Sequence, residues 1–470
     1  MEGLLNVVKS INAVLWGPPM MILLVGFGVL STLYLGFPQF RRLGLGFKES
    51  FGKIFVKDEN KEGSMSSFQS LATAVAAQVG TGNIGGVATA IVSGGPGAIF
   101  WMWIVAILGM STISVEAILA QKYRETKDGQ LVGGPAYYIS KGLSEKGLGG
   151  LGKGLATFFA IMIVIALGFV GNMVQSNSIA SVMESAFGIN PLVMGLVLAV
   201  FAGLIFIGGM GRIAKFAELV VPIMALVYVI GSIALLIRFS DMIGPVVSAI
   251  FKGAFTGEAV LGGLAGVAVK NAIRYGVARG LFSNEAGMGS TPNSHAVADV
   301  AHPVIQGTVA MVGVFIDTII VCTATAMVVL VSGANVAAIE QNLNGPVVTQ
   351  MAFEAAFGTI GGQFLAIALM FFAFTTVVGW YYFGESNMKF LFKSKGAIRV
   401  YQAVVLIFVV LGSTLHVDVV WELADMFNAI MVIPNIIGLV VLLKHVKNMY
   451  MDYDKQVQSG QALHYHYKYQ

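Results

Sequence analysis

The stretch AAQVGTGNIGG, from Ala76 to Gly86, combines polar side chains and glycines in a segment apolar enough to lie in a membrane. Its polar members are Gln78, Thr81 and Asn83. Glycine costs a helix interior about 1 kcal/mol relative to alanine, and each unpaired backbone group in lipid costs several kcal/mol more. The stretch therefore predicts a broken helix, whose free N–H groups attract a carboxylate and whose free carbonyls attract Na⁺ or an ammonium group.

A second break is predicted within ARGLFSNEAGMGSTPNSH, from Ala278 to His295. Four residues there disfavour a continuous helix: Gly280, Gly287, Gly289 and Pro292. Ser283 or Asn284 is expected to cap the half-helix that follows, with Glu285 in its first turn. For both segments the alternative is that the glycines only allow close helix packing.

Other polar residues in apolar segments are also candidates for binding. Asn172, Gln175 and Ser176 share one helix face, which is compatible with contact to a ligand or with an interhelical hydrogen bond. Thr376 and Trp380 are one turn apart, so Trp380 is either a bulky wall beside Thr376 or an interfacial anchor. The alternative for the threonine is a hydroxyl bonded back to the preceding turn.

Charged residues inside membrane spans are costly and are therefore functional candidates. Arg274 and Arg279 precede the second break and Asp425 begins the last span, so the sequence predicts an arginine–carboxylate pair that is either a gate or a structural ion pair. Asp317 is the lone carboxylate of its span. It is expected to bind the cation, relay a proton or hold helices together. Glu116 is expected to snorkel toward the end of its span.

The composition indicates which elements position these residues. Of the 470 residues, 56% are hydrophobic and 11% are charged, whereas soluble domains carry about 25% charged residues. This predicts an all-α polytopic membrane protein with eleven spans, each of about 20 residues. The spans are 16–36, 67–93, 97–121, 155–184, 192–210, 217–238, 260–296, 303–332, 360–384, 398–415 and 424–444. The single cysteine, Cys322, excludes an intrachain disulfide and a multi-cysteine metal site.

Lysine and arginine residues are concentrated in the odd-numbered predicted loops. The first, third, fifth and ninth loops are rich in them, whereas the even-numbered loops hold only Arg238 and Lys252. Because positively charged loops face the cytoplasm, we expect a multi-pass protein of the cell membrane with its N-terminus outside and its C-terminus in the cytoplasm. The tail SGQALHYHYKYQ, 459–470, is polar and aromatic and is expected to be disordered.

The two breaks occupy equivalent positions once the first span is set aside. Each opens a set of five spans, and an odd number of spans makes the two sets enter the membrane in opposite senses. The predicted parts are an N-terminal part at 1–66, a first repeat at 67–238, a second repeat at 239–445 and a tail at 446–470. Paired broken helices in an inverted repeat are typical of a secondary transporter.

Two other functional classes fit the sequence less well. A channel with broken helices normally needs symmetric subunits around a pore, which an internal repeat of five-plus-five spans does not supply. An intramembrane enzyme needs a nucleophile with a base, paired aspartates or a set of zinc ligands. Asp317 is alone in its span and no HExxH motif occurs, so no enzymatic activity is expected.

The chain also resembles the alanine or glycine:cation symporter family, the sodium/alanine symporters, over nearly its whole length. The resemblance is carried by GTGNIGGVATA at 80–90, GGPAYYI at 133–139, NAIRYGVARGLFSNEAGMGSTPNSHA at 271–296 and FIDTIIVCTATA at 315–326. It implies a leucine-transporter-like fold with five-plus-five inverted repeats and one extra N-terminal helix. It also implies a lipid bilayer as the environment, no organic cofactor and no nucleic-acid partner.

The resemblance further implies the residues of a substrate site. Thr81, Gly82 and Asn83 would bind the substrate carboxylate, with a further hydrogen bond from Gln78. The other candidate contacts are Phe169, Asn172, Phe282, Ser283, Asn284, Thr376 and Trp380. Free carbonyls at 278–281 would receive the substrate ammonium group.

A Na⁺ site is implied in the same way, with the carbonyls of Ala76 and Val79 and the hydroxyls of Thr375 and Thr376 as ligands. Such an oxygen cage suits a hard cation. The expected function is the import of small neutral amino acids, alanine or glycine, coupled to Na⁺ by alternating access. The alternative is an H⁺-coupled or exchanging amino-acid permease of the same fold.

Overall fold

The computed structural model is almost entirely helical and describes residues 2–52, 63–127, 129–256, 269–415, 417–460 and 462–469. The helices before residue 190 are Glu2–Leu15, Pro18–Tyr34, Pro38–Arg41, Leu43–Phe51, Ser67–Gln78, Val87–Gly94, Gly97–Lys122, Pro135–Glu145, Gly149–Ile163 and Asn172–Phe187. Those after it are Pro191–Phe206, Gly209–Arg238, Ile243–Phe255, Val269–Asn284, Pro292–His295, Pro303–Val314, Thr323–Val331, Ala334–Glu340, Pro346–Phe357, Thr359–Leu391, Lys395–Thr414 and Val417–Gln458.

Irregular turns and one hairpin complete the described elements. The π-helical turns are Gly82–Gly86, Val164–Gly171 and Phe315–Cys322, and Ser240–Met242 is a short 3₁₀ turn. Strands Glu125–Lys127 and Gln130–Val132 pair antiparallel. The π-helical turns at 164 and 315 lie inside longer helices, so two of the predicted spans carry a local widening of a continuous helix.

Helices that can cross a membrane occur along the whole described chain. Seven are long and apolar enough, or up to nine if two bent pairs each count as one span. A helix lies at every predicted span position, although the predicted span 260–296 begins in residues that lie outside the described part. The last helix continues beyond the predicted 444 to Gln458. The chain is therefore a multi-pass membrane protein.

The first broken helix consists of Ser67–Gln78 and Val87–Gly94, joined by the π-helical turn Gly82–Gly86. It begins with a capping box, in which Gln69 N donates to Ser66 Oγ at 3.1 Å and Ser66 N donates to Gln69 Oε1 at 3.1 Å. Helical geometry ends at Val79, and the two halves meet at an angle of 51°. The predicted first break is thus present in the structure.

The second broken helix consists of Val269–Asn284 and the short helix Pro292–His295. Between them, Glu285, Gly287 and Gly289 have φ values of 58°, 86° and 81°. Glycine adopts such left-handed conformations without steric cost, which explains why glycines recur in this turn. Glu285 adopts one as well, and glutamate does so rarely.

A short main-chain link joins the two broken helices at one end of the bundle. Met65, just before the first, pairs in parallel with Ala298, just after the second. Met65 N donates to Val297 O at 3.0 Å, and Asp299 N donates to Met65 O at 2.9 Å. Gln121 Nε2 also donates to Ala298 O, at 3.0 Å. We call this link the β-bridge and this end of the bundle the tail end.

The C-terminal tail closes over the tail end. In residues 462–469, the Tyr467 ring lies 3.9 Å from the Arg124 guanidinium, and Lys468 Nζ lies 2.8 Å from Glu145 Oε1. Burial opposes ionisation of Glu145, but hydrogen bonds, first of all that from Lys468, outweigh it and lower the pKa of this carboxyl to about 2. The expectation of a disordered tail is therefore wrong for these residues.

Four of the helices that pack around the two breaks are named here by a residue used below. They are the Glu116 helix (Gly97–Lys122), the Gln175 helix (Gly149–Phe187), the Asp317 helix (Pro303–Val331) and the Thr376 helix (Thr359–Leu391). The Thr376 helix approaches the first broken helix so closely that a Cβ at Gly379 would lie 2.9 Å from Ala77 Cβ. Small residues permit such contacts between membrane helices.

Candidate functional site

The two breaks lie side by side. Gln78 Nε2, in the first, donates to the carbonyl of Asn284 in the second at 2.7 Å. A Cβ at Gly82 would lie 3.3 Å from both Phe282 Cδ1 and Ser283 Cα, so the absence of a side chain at 82 allows this approach. The structure therefore brings together most of the residues predicted at the two breaks.

Neutral side chains satisfy the free N–H groups of the first break. Gly80 N donates to Asn83 Oδ1 at 2.9 Å, and Thr81 N donates to Gln175 Oε1 at 3.2 Å. Gln175 belongs to the polar face predicted at 172–176. The sequence is compatible with two roles for that face, contact to a ligand or an interhelical hydrogen bond. In the structure this side chain bonds across helices to the break.

Carbonyl and hydroxyl oxygens converge on the other side of the first break. Thr376 Oγ1 lies 3.0 Å from Ala76 O and 3.4 Å from Val79 O, and it also lies 3.1 Å from Phe372 O in the preceding turn of its own helix, so both roles considered for this hydroxyl fit its contacts. Thr375 Oγ1 instead donates to the carbonyl of Phe372 at 2.8 Å and lies 3.6 Å from a sulfur on a neighbouring helix. Three of the four residues expected around an ion are thus adjacent, and Thr375 lies apart from them.

Three buried polar atoms at or beside the first break have no hydrogen-bond partner within the described part of the chain. They are Gln78 Oε1, Thr81 Oγ1 and Asn172 Oδ1. All three side chains are at most 3% exposed. Since nearly all buried polar atoms in proteins are hydrogen-bonded, each of these three atoms has an unused capacity for a polar partner.

Asp317 joins the two breaks through one carboxylate. Asn83 Nδ2 donates to Asp317 Oδ1 at 2.6 Å, and Ser283 Oγ lies 3.1 Å from both carboxylate oxygens. Thr318 Oγ1 donates to Oδ2 at 2.7 Å. Each of these partners is neutral. One role foreseen for Asp317, that of holding helices together, corresponds directly to these contacts.

Trp380 forms a wall beside the second break. Its ring meets the Phe282 ring edge-on, with centroids 6.4 Å apart. A Cβ at Gly171 would lie 2.6 Å from Trp380 Cζ3, so the Gln175 helix touches the ring on another side. The indole Nε1 donates to Glu285 Oε1 at 2.6 Å, and Ser290 donates a hydrogen bond to the other oxygen of that carboxylate.

The predicted place of Glu285 in the first turn of a half-helix is wrong. Glu285 follows the end of helix Val269–Asn284 and lies in the left-handed turn. Asn284 Oδ1 accepts from Ala286 N at 3.1 Å, which stabilises this turn instead of capping a helix start.

Glu116 also differs from its expectation. Its side chain is fully buried, and its two oxygens accept Gly287 N at 2.9 Å and Asn435 Nδ2 at 2.7 Å. The carboxylate therefore satisfies a main-chain N–H group of the second break and does not snorkel.

Phe169 lies apart from the two breaks in the contacts of its ring. It stacks on Phe408, with centroids 5.0 Å apart, and lies 5.8 Å from the ring of Tyr401. Both partners belong to helix Lys395–Thr414, so the structure directs Phe169 toward that helix.

At the end of the bundle opposite the tail, Arg279 and Asp425 form a two-pronged ion pair with N–O distances of 3.2 and 2.9 Å. Both side chains are 15% exposed, and the Trp421 ring lies 5.6 Å from the guanidinium. Arg274 lies over the ring of Tyr275 instead, at 5.5 Å. Of the two arginines considered, Arg279 thus makes the pair. We call this end the Arg279 end.

One contributor to the site was not foreseen. Thr349 Oγ1 donates to Ile84 O at 3.1 Å in the first break, and a Cβ at Gly85 would lie 2.8 Å from Pro346 Cδ. Both partners belong to helix Pro346–Phe357, in a region between predicted spans. No local pattern marks that helix as a neighbour of the break.

Comparisons with known proteins give one consistent family. Residues 1–467 match the model of the sodium:alanine symporter family. The sodium/alanine symporter AgcS of Methanococcus maripaludis is 44% identical over 438 residues, covering 93% of this chain and 94% of that protein. The probable sodium/glutamine symporter GlnT of Bacillus subtilis is 41% identical, covering 97% and 92%. The putative sodium/proton-dependent alanine carrier protein YrbD of the same species is also 41% identical, covering 96% and 93%.

A solved structure supports the fold. The manganese transporter of Eremococcus coleocola superimposes with a TM-score of 0.51 and 14% identity, covering 87% of this chain and 85% of that one. At this identity the similarity concerns the fold alone.

Proposed function

This chain belongs to the sodium:alanine symporter family, and on that premise we propose that it imports small neutral amino acids, alanine or glycine, together with Na⁺. The observation that carries the proposal is the convergence of the Thr376 hydroxyl with the carbonyls of Ala76 and Val79. These are neutral oxygen ligands, which suit a hard monovalent cation. Thr375 contributes through the packing of its helix, because its own hydroxyl points elsewhere.

The proposed substrate site lies next to these oxygens. Thr81, Gly82 and Asn83 would receive the substrate carboxylate at the break, with Gln78 and Asn172 completing the polar contacts through their unpaired oxygens. A substrate ammonium group would satisfy such acceptors. Ser283 and Asn284 line the neighbouring break. Together with Phe282, Thr376 and Trp380, they complete the proposed set of substrate contacts.

The choice of a small side chain rests on the aromatic wall. Phe282 and Trp380 meet edge-on where the two breaks touch, and both are buried. We expect such a wall to restrict the site to small side chains. The relatives carry both alanine and glutamine in their names, so this wall is the feature that favours alanine for this chain.

We also propose the arrangement in the membrane. Eleven spans form two inverted repeats of five after one extra helix, with the N-terminus outside and the C-terminus in the cytoplasm. The Arg279 end then faces outward, and the Arg279–Asp425 pair forms an outer gate. Alternating access would rock the two broken helices against the other helices, as inverted-repeat transporters do.

One observation favours a second candidate, an H⁺-coupled or exchanging permease. Asp317 contacts both breaks through Asn83 and Ser283, so a proton on this carboxylate would alter the contacts of both at once. Coupling by a proton would leave the fold and substrate unchanged and move the coupling role from Thr376 to Asp317.

The test is uptake of radiolabelled alanine into proteoliposomes under an inward Na⁺ gradient, an inward H⁺ gradient with K⁺ replacing Na⁺, or no gradient. Na⁺-dependent uptake that glycine inhibits and glutamine does not inhibit is the expected result. Uptake driven by H⁺ alone would favour the second candidate. Strong inhibition by glutamine, or no alanine uptake under any gradient, would overturn the proposed substrate.

A further inference from the structure

Glu285 is a buried carboxylate that the proposed transport cycle does not use. It is fully buried, and its two oxygens accept hydrogen bonds from the indole of Trp380, at 2.6 Å, and from the hydroxyl of Ser290. Both donors are neutral. A carboxylate buried without a hydrogen-bonded partner is very costly, so these two contacts hold the group in one place.

The backbone at Glu285 is held in an uncommon conformation to make this contact. Its φ of 58° lies in the left-handed region, which a glutamate occupies only at an energetic cost. Leu281 O and Met288 N bond to its main chain, at 2.9 and 3.0 Å, and fix the turn. Strain of this kind persists where the surrounding structure requires it, often at functional sites.

The contact reaches the wall of the proposed pocket. The Trp380 ring packs against Phe282 and against the backbone near Gly171. At its N–H edge, the hydrogen bond to Glu285 fixes the orientation of the ring. Without that bond only apolar packing holds the buried ring, and its orientation can shift. The space beside Phe282 and Thr376 would then vary.

We propose that Glu285 is a positioning residue that sets side-chain selectivity by fixing the Trp380 indole. The inference rests on the proposed function, because it concerns the same substrate site. According to this inference, selectivity depends on the length of the Glu285 side chain and not on its charge. A role in binding a coupling cation would require the reverse.

Two variants separate these readings. E285Q keeps the side-chain length and an oxygen acceptor for the indole but removes the charge. E285D keeps the charge, withdraws the carboxylate from the indole by one methylene and tolerates a left-handed backbone. Selectivity is measured as the ratio of the inhibition constants of leucine and alanine against labelled alanine uptake. We expect E285D to lower this ratio by about tenfold, the scale of discrimination in an apolar pocket, and E285Q to stay within about twofold of the wild type.

The background variant W380F tests whether Glu285 acts through Trp380. It removes the indole donor, so E285D should have no further effect on the ratio in that background, since coupled sites are non-additive. E116Q is the matched control, because it alters another carboxylate at the same break without touching Trp380. A low ratio in E285Q with a normal ratio in E285D, or an undiminished E285D effect in W380F, would overturn the inference.

A readout without substrate keeps this test distinct from that of the proposed function. In protein labelled with 5-fluorotryptophan, the ¹⁹F resonance of Trp380, one of five tryptophans, is identified by its loss in W380F. We expect E285D to shift or broaden this resonance and E285Q to leave it near its wild-type position. An unchanged resonance in E285D would overturn the inference even if alanine uptake is confirmed, and absent uptake with a shifted resonance would count against the proposed function alone. If E285D is not recovered as monodisperse protein, the same two measurements are made on S290A. That variant removes the hydrogen bond to the other carboxylate oxygen of Glu285.

Discussion

The two breaks lie in contact, yet different chemical groups stabilise them. At the first, amide and hydroxyl groups do so: Asn83 and Gln175 accept from main-chain N–H groups, and Thr376 meets two carbonyls. At the second, two further carboxylates do so: Glu116 accepts from Gly287 N, and Glu285 accepts from Ser290. Asp317 contacts both breaks, through Asn83 and Ser283.

This difference indicates how one site can keep a fixed structure and still exchange a ligand. Neutral oxygens in a low-dielectric interior lose little interaction free energy when an ion replaces a hydroxyl group as their partner. A buried carboxylate loses far more when its donors leave, because its desolvation is no longer compensated. Under the proposed function, the first break is the part that binds and releases the ion, and the second maintains the shape of the site.

The largest expected effect is at the second break. Glu116→Ala removes the acceptor of Gly287 N and of the Asn435 amide, and two unsatisfied buried donors cost about 2–4 kcal/mol in stability. Thermal unfolding of the purified protein in detergent should show a clearly lower midpoint. Glu116→Gln should lose less, because its amide oxygen still accepts one of the two bonds. An unchanged midpoint in Glu116→Ala would remove the distinction between the breaks.

The next effect is at the first break and uses two of its glycines. A Cβ at Gly80 would overlap the Thr376 hydroxyl and lie 3.1 Å from Gln175 Oε1, whereas one at Gly86 would find its nearest neighbour 4.0 Å away. Gly80→Ala should therefore reduce Na⁺-driven alanine uptake by about tenfold or more, the effect of roughly 1.4 kcal/mol. Gly86→Ala is the control and should keep near-wild-type uptake. Equal uptake by both variants would show that this crowding does not matter.

A third effect sharpens the role of the hydroxyl itself. Thr376→Val removes an oxygen beside Ala76 and Val79 with little change of shape, so the Na⁺ concentration for half-maximal uptake should rise by about tenfold. Thr375→Val removes a hydroxyl that bonds within its own helix and should change this concentration little. If the two variants shifted the Na⁺ dependence equally, the ion would have to bind elsewhere.

The smallest effect is expected at the Arg279 end, where the charged groups are partly exposed. Asp425→Asn removes the negative charge but keeps one oxygen acceptor for the Arg279 guanidinium, so alanine uptake should fall by only about threefold. The loss should shrink further as the ionic strength is raised with choline chloride at constant Na⁺. A loss as large as that of Gly80→Ala would show that this pair is as important to transport as the first break.

The sequence predicts the presence of the breaks better than their partners. Glycines among polar side chains indicated both breaks, because that combination has few other uses in lipid. Thr375 and Thr376 are neighbours, and only the rotation of their helix decides that Thr376 meets the first break. Whether Arg274 or Arg279 pairs with Asp425 likewise depends on packing between distant helices.

Other misassignments have the same origin. Glu285 was expected in a helix start because local capping rules apply to a helix that continues, whereas the chain turns left-handed there. The aromatic partners of Phe169 and the approach of helix Pro346–Phe357 depend on contacts between distant segments, which no local pattern encodes.

The β-bridge between Met65 and Ala298 has an evolutionary consequence. Its two main-chain hydrogen bonds run from Met65 N to Val297 O and from Asp299 N to Met65 O, and the Gln121 side chain donates to Ala298 O beside them. A substitution at 65 or 299 keeps the main-chain donor of the link, except for proline, which lacks an N–H group. Met65, Val297 and Ala298 are buried, so packing still restricts the size of their side chains. The main-chain hydrogen bonds between the broken helices thus depend little on side-chain identity at 65 and 299, whereas the contacts at the breaks are made by side chains.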